Sequence, residues 1–252
     1  CSEAARGGHL AVLQYLEANG CPWGTLTCCT AAAGGHLRVL RWVRTKGCPW
    51  DENTCCAAAA GGHLDVLKWA RDNGCPWNEF TCSEAAAGGN VRICLSGYSN
   101  GGCPWIDSTD TGTVEQRHVD VLKWARENGC DWDERTCTET ARRGRLDMLK
   151  WARGGGCPWD EETCSAAAME GHLSILQWAR ENGCPWTADT CRGAASRGHL
   201  NVLKWAHENG CPLDEHTGPA AGRAGHLDIL RWTREAGCAL SEQTCSEAAR
   251  GG

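Results

Sequence analysis

Residues 54–80 read TCCAAAAGGHLDVLKWARDNGCPWNEF, and variants of this 27-residue stretch fill the chain of 252 residues. A Cys-Pro-Trp tripeptide or a relative of it recurs at intervals of 27 residues, with a single interval of 28. The first cysteines of these tripeptides are Cys21, Cys48, Cys75, Cys103, Cys130, Cys157, Cys184, Cys211 and Cys238. A fixed period of this size predicts a solenoid, in which each repeat buries its apolar surface against its neighbours.

Each repeat contains signals for two helices. Thr81-Cys-Ser-Glu84 and its relatives at Thr136 and Thr244 fit a capping box, which predicts that a short Ala-rich first helix starts at the threonine. A second helix is expected to open at His63-Leu64 and to end at Asn73-Gly74, a pair typical of left-handed C-caps. Its apolar residues cover so wide an arc that we expect the second helix to lie between two neighbours in a stack.

The stretches AAAGGHLDVLKWARDNG and AASRGHLNVLKWAHENG, the second at Ala194 to Gly210, resemble the GHL-containing helix pair of ankyrin repeats. The resemblance extends over essentially the whole chain, although 27 residues is shorter than that family's 33. It implies an all-α, helical-repeat solenoid of stacked helix-turn-helix, ankyrin-like units without long projecting hairpins. We expect one array over residues 1–252, of about nine units.

Composition restricts the partners and the compartment. The formal net charge of −6 argues against nucleic acid and anionic membranes, and no apolar run is long enough to span a bilayer. No secretory signal is visible, so we expect a monomeric, intracellular and cytoplasmic protein. Cys1 to Gly8 and Cys245 to Gly252 are the same eight residues, CSEAARGG, which leads us to expect that both ends cut a repeat and that further repeats or domains follow.

The 14 tryptophans fall in two columns, one on the second helix and one in the loop tripeptide. We expect both columns to be core ladders, with an exposed ladder that stacks bases or sugars as the alternative. Most of the 20 cysteines also form two columns, which we interpret as small buried hydrophobes. A disulfide within one repeat, such as Cys48 to Cys55, is left open, and Cys29 and Cys56 are expected to be exposed thiols.

A histidine column accompanies these residues at the start of the second helix. It predicts a hydrogen bond that repeats with the fold, because a catalytic nucleophile–base pair occurs once in an enzyme. No phosphate-binding loop or hydrolase motif is present, so we predict no enzyme, no cofactor and no metal site. The histidines are His9, His36, His63, His118, His172, His199 and His226.

Function is then expected at positions of the first helix that differ between repeats, which follow the second cysteine or precede the glycine of Gly-His-Leu. We hypothesise a non-catalytic protein-interaction scaffold whose concave, helix-lined surface binds a protein or peptide, an acidic one if the arginines take part. The alternative is a cysteine-rich metal-binding or redox-responsive array. The candidate partner-binding residues are Arg142, Arg143, Met169, Glu170, Arg192, Arg197 and Arg223.

One repeat departs from the pattern. Residues 90–117 keep Cys103-Pro-Trp105 but lose the helix tryptophan, the Thr-Cys pair and the Ala pair. Three interpretations stay open: a hinge, a decayed repeat or a coding-frame error. Because repeat arrays are held by their neighbour interfaces, we expect weaker coupling here and proteolysis between Ile93 and Val114.

Overall fold

The computed structural model describes residues 1–88, 111–238 and 242–251, with side chains from 116 onward in the second stretch and over 244–250 in the third. The chain divides into two compact units, Cys1–Trp132 and Asp133–Gly252, which we call the N-terminal body and the C-terminal body. Each is described by itself.

Helices of the N-terminal body alternate between the first and second helix of a repeat. They are α1 (Ser2–Arg6), α2 (Leu10–Ala18), α3 (Thr25–Ala33), α4 (Leu37–Thr45), α5 (Glu52–Ala60), α6 (Leu64–Asp72), α7 (Glu79–Ala87) and α8 (Thr111–Glu127).

The C-terminal body continues the same alternation. Its helices are α9 (Glu134–Arg142), α10 (Leu146–Gly154), α11 (Glu161–Met169), α12 (Leu173–Glu181), α13 (Ala188–Ser196), α14 (Leu200–Glu208), α15 (Thr217–Arg223), α16 (Leu227–Glu235) and α17 (Glu242–Gly251). The described residues contain no strand. Within each body the first helices pack on one another in series, as α3, α5 and α7 do, which confirms the predicted all-α solenoid.

The first helix begins earlier than the capping-box pattern predicts. Asp51 is the N-cap of α5, and its side chain accepts a hydrogen bond from the amide of Asn53 at 3.1 Å. Asn78, Asp133, Asp160 and Thr187 cap α7, α9, α11 and α13 in the same way. The predicted capping threonine is therefore wrong, because it stands three residues inside the helix and is buried there. In α5 and α7 an Asx oxygen three residues before the threonine accepts from the amide two residues after itself, so the helix starts there.

The turn into the second helix uses glycine where the backbone is left-handed. Gly62 has a φ of +69°, His63 is the N-cap of α6, and the helix ends at the C-cap Asn73 with Gly74 at +82°. Both second-helix boundaries were predicted from the sequence, because Gly-His-Leu and Asn-Gly have a defined backbone role.

The core is formed by the Ala-rich first helices and by one stripe of each second helix. All of α5 from Thr54 to Ala60 is buried, as are Val66, Leu67 and Ala70 of α6. Small side chains on the first helix let neighbouring helices approach closely, and the branched residues of the second helix fill the layer beneath. Only part of the wide apolar arc of the second helix is fully buried, since Leu64 and Trp69 stay half-buried.

The extra length around the irregular segment belongs to a single repeat. His118 Nε2 lies 3.0 Å from the carbonyl oxygen of Ala60, 58 residues away, whereas His63 makes the same contact with Ala33 across 30 residues. Trp77 likewise meets Trp124 as Trp50 meets Trp69. Helix α7 and the part of α8 from His118 therefore act as the two helices of one repeat. The hinge, decay and frame-error interpretations and the expected proteolysis concern a segment of which residues 89–110 lie outside the described part of the chain.

Candidate interaction surface

Four residues of the histidine column, His36, His63, His118 and His172, join their repeat to the one before it. His36 Nε2 lies 2.7 Å from the carbonyl oxygen of Arg6, and His172 Nε2 lies 3.1 Å from that of Arg142. A carbonyl can only accept, so Nε2 carries the proton and donates. Burial lowers the pKa of His63 below its ordinary value of 6.5, which favours the neutral ring. The prediction of a repeated structural hydrogen bond is confirmed at these positions.

The two cysteine columns meet in buried thiol pairs. The thiol of Cys55 hydrogen-bonds to Cys75, whose Sγ donates to the carbonyl oxygen of Asp51 at 3.3 Å. This hydrogen bond and burial raise the pKa of Cys55 far above its ordinary range, so the thiol stays protonated. A protonated, buried thiol is neither a good nucleophile nor a good metal ligand. The interpretation of these columns as buried structural residues is confirmed.

The sequence led to three expectations about the cysteines, which concern disulfides, exposed thiols and metal binding. Cys55 lies beside Cys75 of the next tripeptide, and the cysteines that the structure describes carry thiols rather than disulfides. The expected exposure of Cys29 and Cys56 is wrong, because each is only 4% exposed. Cys56 Sγ lies 3.6 Å from Thr81 Oγ1 of the next first helix, which covers it. Among the described residues no group of three or more His, Cys, Asp or Glu side chains could hold a metal ion.

The tryptophan columns lie on the flank of the repeats rather than in the core. Trp50 and Trp69 are both half-buried and meet edge to face with ring centroids 5.8 Å apart. The guanidinium of Arg44 lies 4.0 Å from the Trp50 ring and donates to the carbonyl oxygen of Cys48. The predicted core ladders are wrong in their degree of burial, because this stacked arginine occupies one side of the loop ring.

The candidate partner-binding residues lie at the ends of first helices in the C-terminal body, except Arg192, which lies in the middle of α13. Arg142 and Arg143 end α9, Met169 and Glu170 end α11, Arg197 is the C-cap of α13, and Arg192 and Arg223 belong to α13 and α15. All are half-buried except Arg197 and Arg223, which are exposed.

Several of these arginines are neutralised by acidic neighbours that the sequence reasoning missed. Arg142 Nε lies 3.3 Å from Glu139, and Arg223 Nε lies 2.6 Å from Glu247. Arg192 pairs with Asp189 on its own helix and lies 3.5 Å from Asp214 of the next repeat. Glu139 and Asp189 stand three residues before their arginines, so the helical i,i+3 rule could have found them.

Two arginines remain with less compensation. Arg197 is exposed and has no ion pair within the described residues. Arg143 has its Nε atom buried without a hydrogen-bond partner in the described part of the chain. That atom is out of reach of a partner, but the Arg143 side chain is only half-buried and, like that of Arg197, has no ion pair among the described residues. Arg143 and Arg197 are thus the two candidate arginines whose charge is left for an incoming anionic group.

The helix pair, the Gly-His-Leu turn and the histidine bond to the preceding repeat together identify the architecture. In these features the repeats resemble ankyrin repeats. A search of solved structures finds the crystal structure of the human ASB11 ankyrin repeat domain, at 16% sequence identity and a TM-score of 0.48, covering 74% of this chain and 85% of that one. No protein-family model and no curated protein matches the chain.

None of the helices in the described residues combines the length and the apolar character that crossing a bilayer requires.

Proposed function

We propose that this chain is a non-catalytic protein-interaction scaffold that offers a concave surface, lined by the ends of its first helices, to a protein or peptide. The observation that carries the proposal is a contrast between two sets of positions. The histidine, cysteine and arginine–tryptophan contacts recur from repeat to repeat, whereas the first-helix ends change from Arg142 and Arg143 to Met169 and Glu170. Variable positions on a constant frame are where a repeat protein can vary its contacts without changing its fold.

The charges favour an acidic partner group at Arg143 and Arg197. A carboxylate there would form charge-assisted hydrogen bonds with the accessible part of each guanidinium. Met169, which is half-buried on α11, offers an apolar contact in the same body. We further propose that the protein acts as a monomer inside the cell, where a reducing environment suits its buried free thiols.

A direct binding experiment tests this proposal. Partners recovered from a cell lysate are identified and purified, and their affinity is measured by calorimetry for wild type and for Arg143→Glu/Arg197→Glu. Because hydrogen bonds to charged groups contribute about 1.5–3 kcal/mol each, the double variant is expected to bind at least about tenfold more weakly.

Arg231→Glu/Arg234→Glu is the charge-matched control, since both are exposed arginines on the second helix α16. It should change the affinity less than about twofold, since isolated surface charges contribute little. Equal losses in the control and in the double variant would mean that general charge, rather than the first-helix ends, governs binding. Unchanged binding in both would remove this surface from the proposal.

A redox-responsive array is the second candidate, favoured by one contact. Cys1 Sγ lies 3.0 Å from Cys21 Sγ, and both thiols are half-exposed. Oxidised glutathione would convert this pair to a disulfide and release two molecules of reduced glutathione. Mass spectrometry would show a loss of two hydrogens from the pair, and retention of both thiols under these conditions would end this candidate.

A further inference from the structure

A cleft of about 450 Å³ lies on the flank of the C-terminal body, between the second helices α12 and α14. It is lined by Gln177, Arg180, Glu181, Trp186, Trp205 and Asn209. The Trp186 and Trp205 rings meet at an angle of 66° with their centroids 6.0 Å apart. The cleft therefore offers indole surface beside a carboxylate.

The charged groups of the cleft differ in how far they are engaged. Arg180 stacks 4.1 Å from the Trp186 ring and donates to the carbonyl oxygen of Cys184, so its guanidinium is held in the loop contact. Glu181 is exposed and has no ion pair among the described residues. Its carboxylate is the charge that is left to attract a cation.

Comparison with the N-terminal body shows what the cleft lacks. The residue equivalent to Gln177 is Arg41 on α4 and Lys68 on α6. The guanidinium of Arg41 lies 5.6 Å from the Trp69 ring, and Lys68 Nζ lies 5.8 Å from the Trp124 ring. Each of these cations covers the tryptophan of the following second helix. Gln177 stands at the equivalent position of α12 and has a neutral amide, so it places no cation over the Trp205 ring.

We propose that this cleft binds the ammonium group of a lysine side chain from a partner protein. The ammonium takes the position that Lys68 occupies over Trp124, with the Trp205 ring as the cation–π surface and Glu181 as the countercharge. The net charge of −6 favours the approach of a basic segment. This site is on second helices, separate from the arginines of the first-helix ends, and does not depend on the proposed function of those arginines.

Nuclear magnetic resonance of the ¹⁵N-labelled full chain tests the site. The probe is Nα-acetyl-lysine methylamide at constant ionic strength, with the norleucine analogue as its neutral counterpart of similar shape. The indole N–H of Trp205, assigned with Trp205→Phe, is expected to shift with the lysine probe and not with norleucine. Equal shifts with both probes, or no shift with lysine, would overturn the proposal.

The substitution Gln177→Lys supplies the cation from within the chain and should compete with the probe. The apparent dissociation constant is expected to rise about two- to fivefold, the factor that corresponds to one cation–π contact at an exposed site. Ser174→Lys is the charge-matched control, because Ser174 is exposed on the same helix. If both substitutions weaken binding equally, the effect is one of net charge and the proposal fails.

The reverse change gives an independent gain of binding. Lys68→Gln should open the equivalent site, where Asp72 corresponds to Glu181, so that the Trp124 indole begins to respond to the lysine probe. A silent Trp124 in a folded Lys68→Gln protein would contradict the role assigned to Gln177. Arg143→Glu/Arg197→Glu should leave the Trp205 response unchanged, which separates failure of this site from failure of the first-helix surface.

Discussion

Replacing Gly35 by alanine should destabilise the protein more than the same replacement at Gly47. Both glycines have left-handed backbones, with φ of +71° and +78°. They differ in what a new Cβ would meet. At Gly35 it would lie 2.6 Å from Cε1 and Nδ1 of His63, whereas at Gly47 nothing lies within 4 Å. The pair therefore separates the cost of backbone strain from the cost of displacing the histidine.

The magnitudes follow from these contacts. A left-handed alanine costs about 1–2 kcal/mol, and this is the whole effect expected at Gly47. At Gly35 the His63 ring must also move, and its Nε2 is held 3.1 Å from the carbonyl oxygen of Ala33. Loss of that bond adds about 0.5–1.5 kcal/mol. We therefore expect Gly35→Ala to lower the free energy of unfolding by about 1.5–3.5 kcal/mol in total, adding the same two contributions.

Urea unfolding followed by tryptophan fluorescence and by circular dichroism measures both variants, and the two probes must agree if the transition is to be treated as two-state. A double-mutant cycle with His63→Ala isolates the histidine contact. Without the imidazole ring, Gly35→Ala should lower the free energy of unfolding by no more than Gly47→Ala does. Equal losses at Gly35 and Gly47 in the presence of His63 would refute the contribution assigned to the histidine contact.

Two other predictions concern titration and thiol access. Burial holds the pKa of His63 below 6.5 in the folded protein, so the unfolded chain binds a proton at His63 more readily than the folded chain does. The contribution of His63 to stability is therefore full above about pH 6.5, and it falls as the pH drops through that value toward the lowered folded pKa. His63→Gln should therefore lose less stability than wild type between pH 7.5 and 5.5 in urea titrations, and parallel losses would contradict this. In native protein, iodoacetamide should modify the exposed Cys245 much faster than Cys29 or Cys56, as read by peptide mass mapping. In denaturant all 20 cysteines should react. Equal rates in the native protein would show that the buried thiols are accessible.

Much of the fold could be predicted from the sequence, because the strongest signals are local. Gly62, His63 and the Asn73-Gly74 pair specify backbone geometry within a few residues, and the structure places the second helix between them. The start of the first helix was wrong by three residues because Asp51 and Thr54 are both good capping residues. Which of them caps depends on which is covered by the neighbouring repeat, and that is a tertiary fact.

The surface was harder to predict than the fold. The exposure of Cys56 and the burial of the tryptophans were misjudged because each depends on the next repeat, which covers the thiol and leaves the indoles at the flank. The candidate arginines were read as a set of free charges, whereas Arg192 and Arg223 are paired with Asp214 and Glu247 of the following repeat. Such pairs are not encoded in local spacing.

By itself the sequence determined that this protein is a stack of 27-residue, two-helix repeats, since a fixed period with fixed turn residues leaves few other ways to bury each repeat. Tertiary structure alone decided how neighbouring repeats use the same residue types. It set Cys55 beside Cys75, joined α7 to the helix that begins its pattern again at His118, and placed the cation of Lys68 over Trp124. The physical reason is that turns are governed by backbone geometry within a few residues, whereas burial and charge pairing are governed by what packs across the repeat interface.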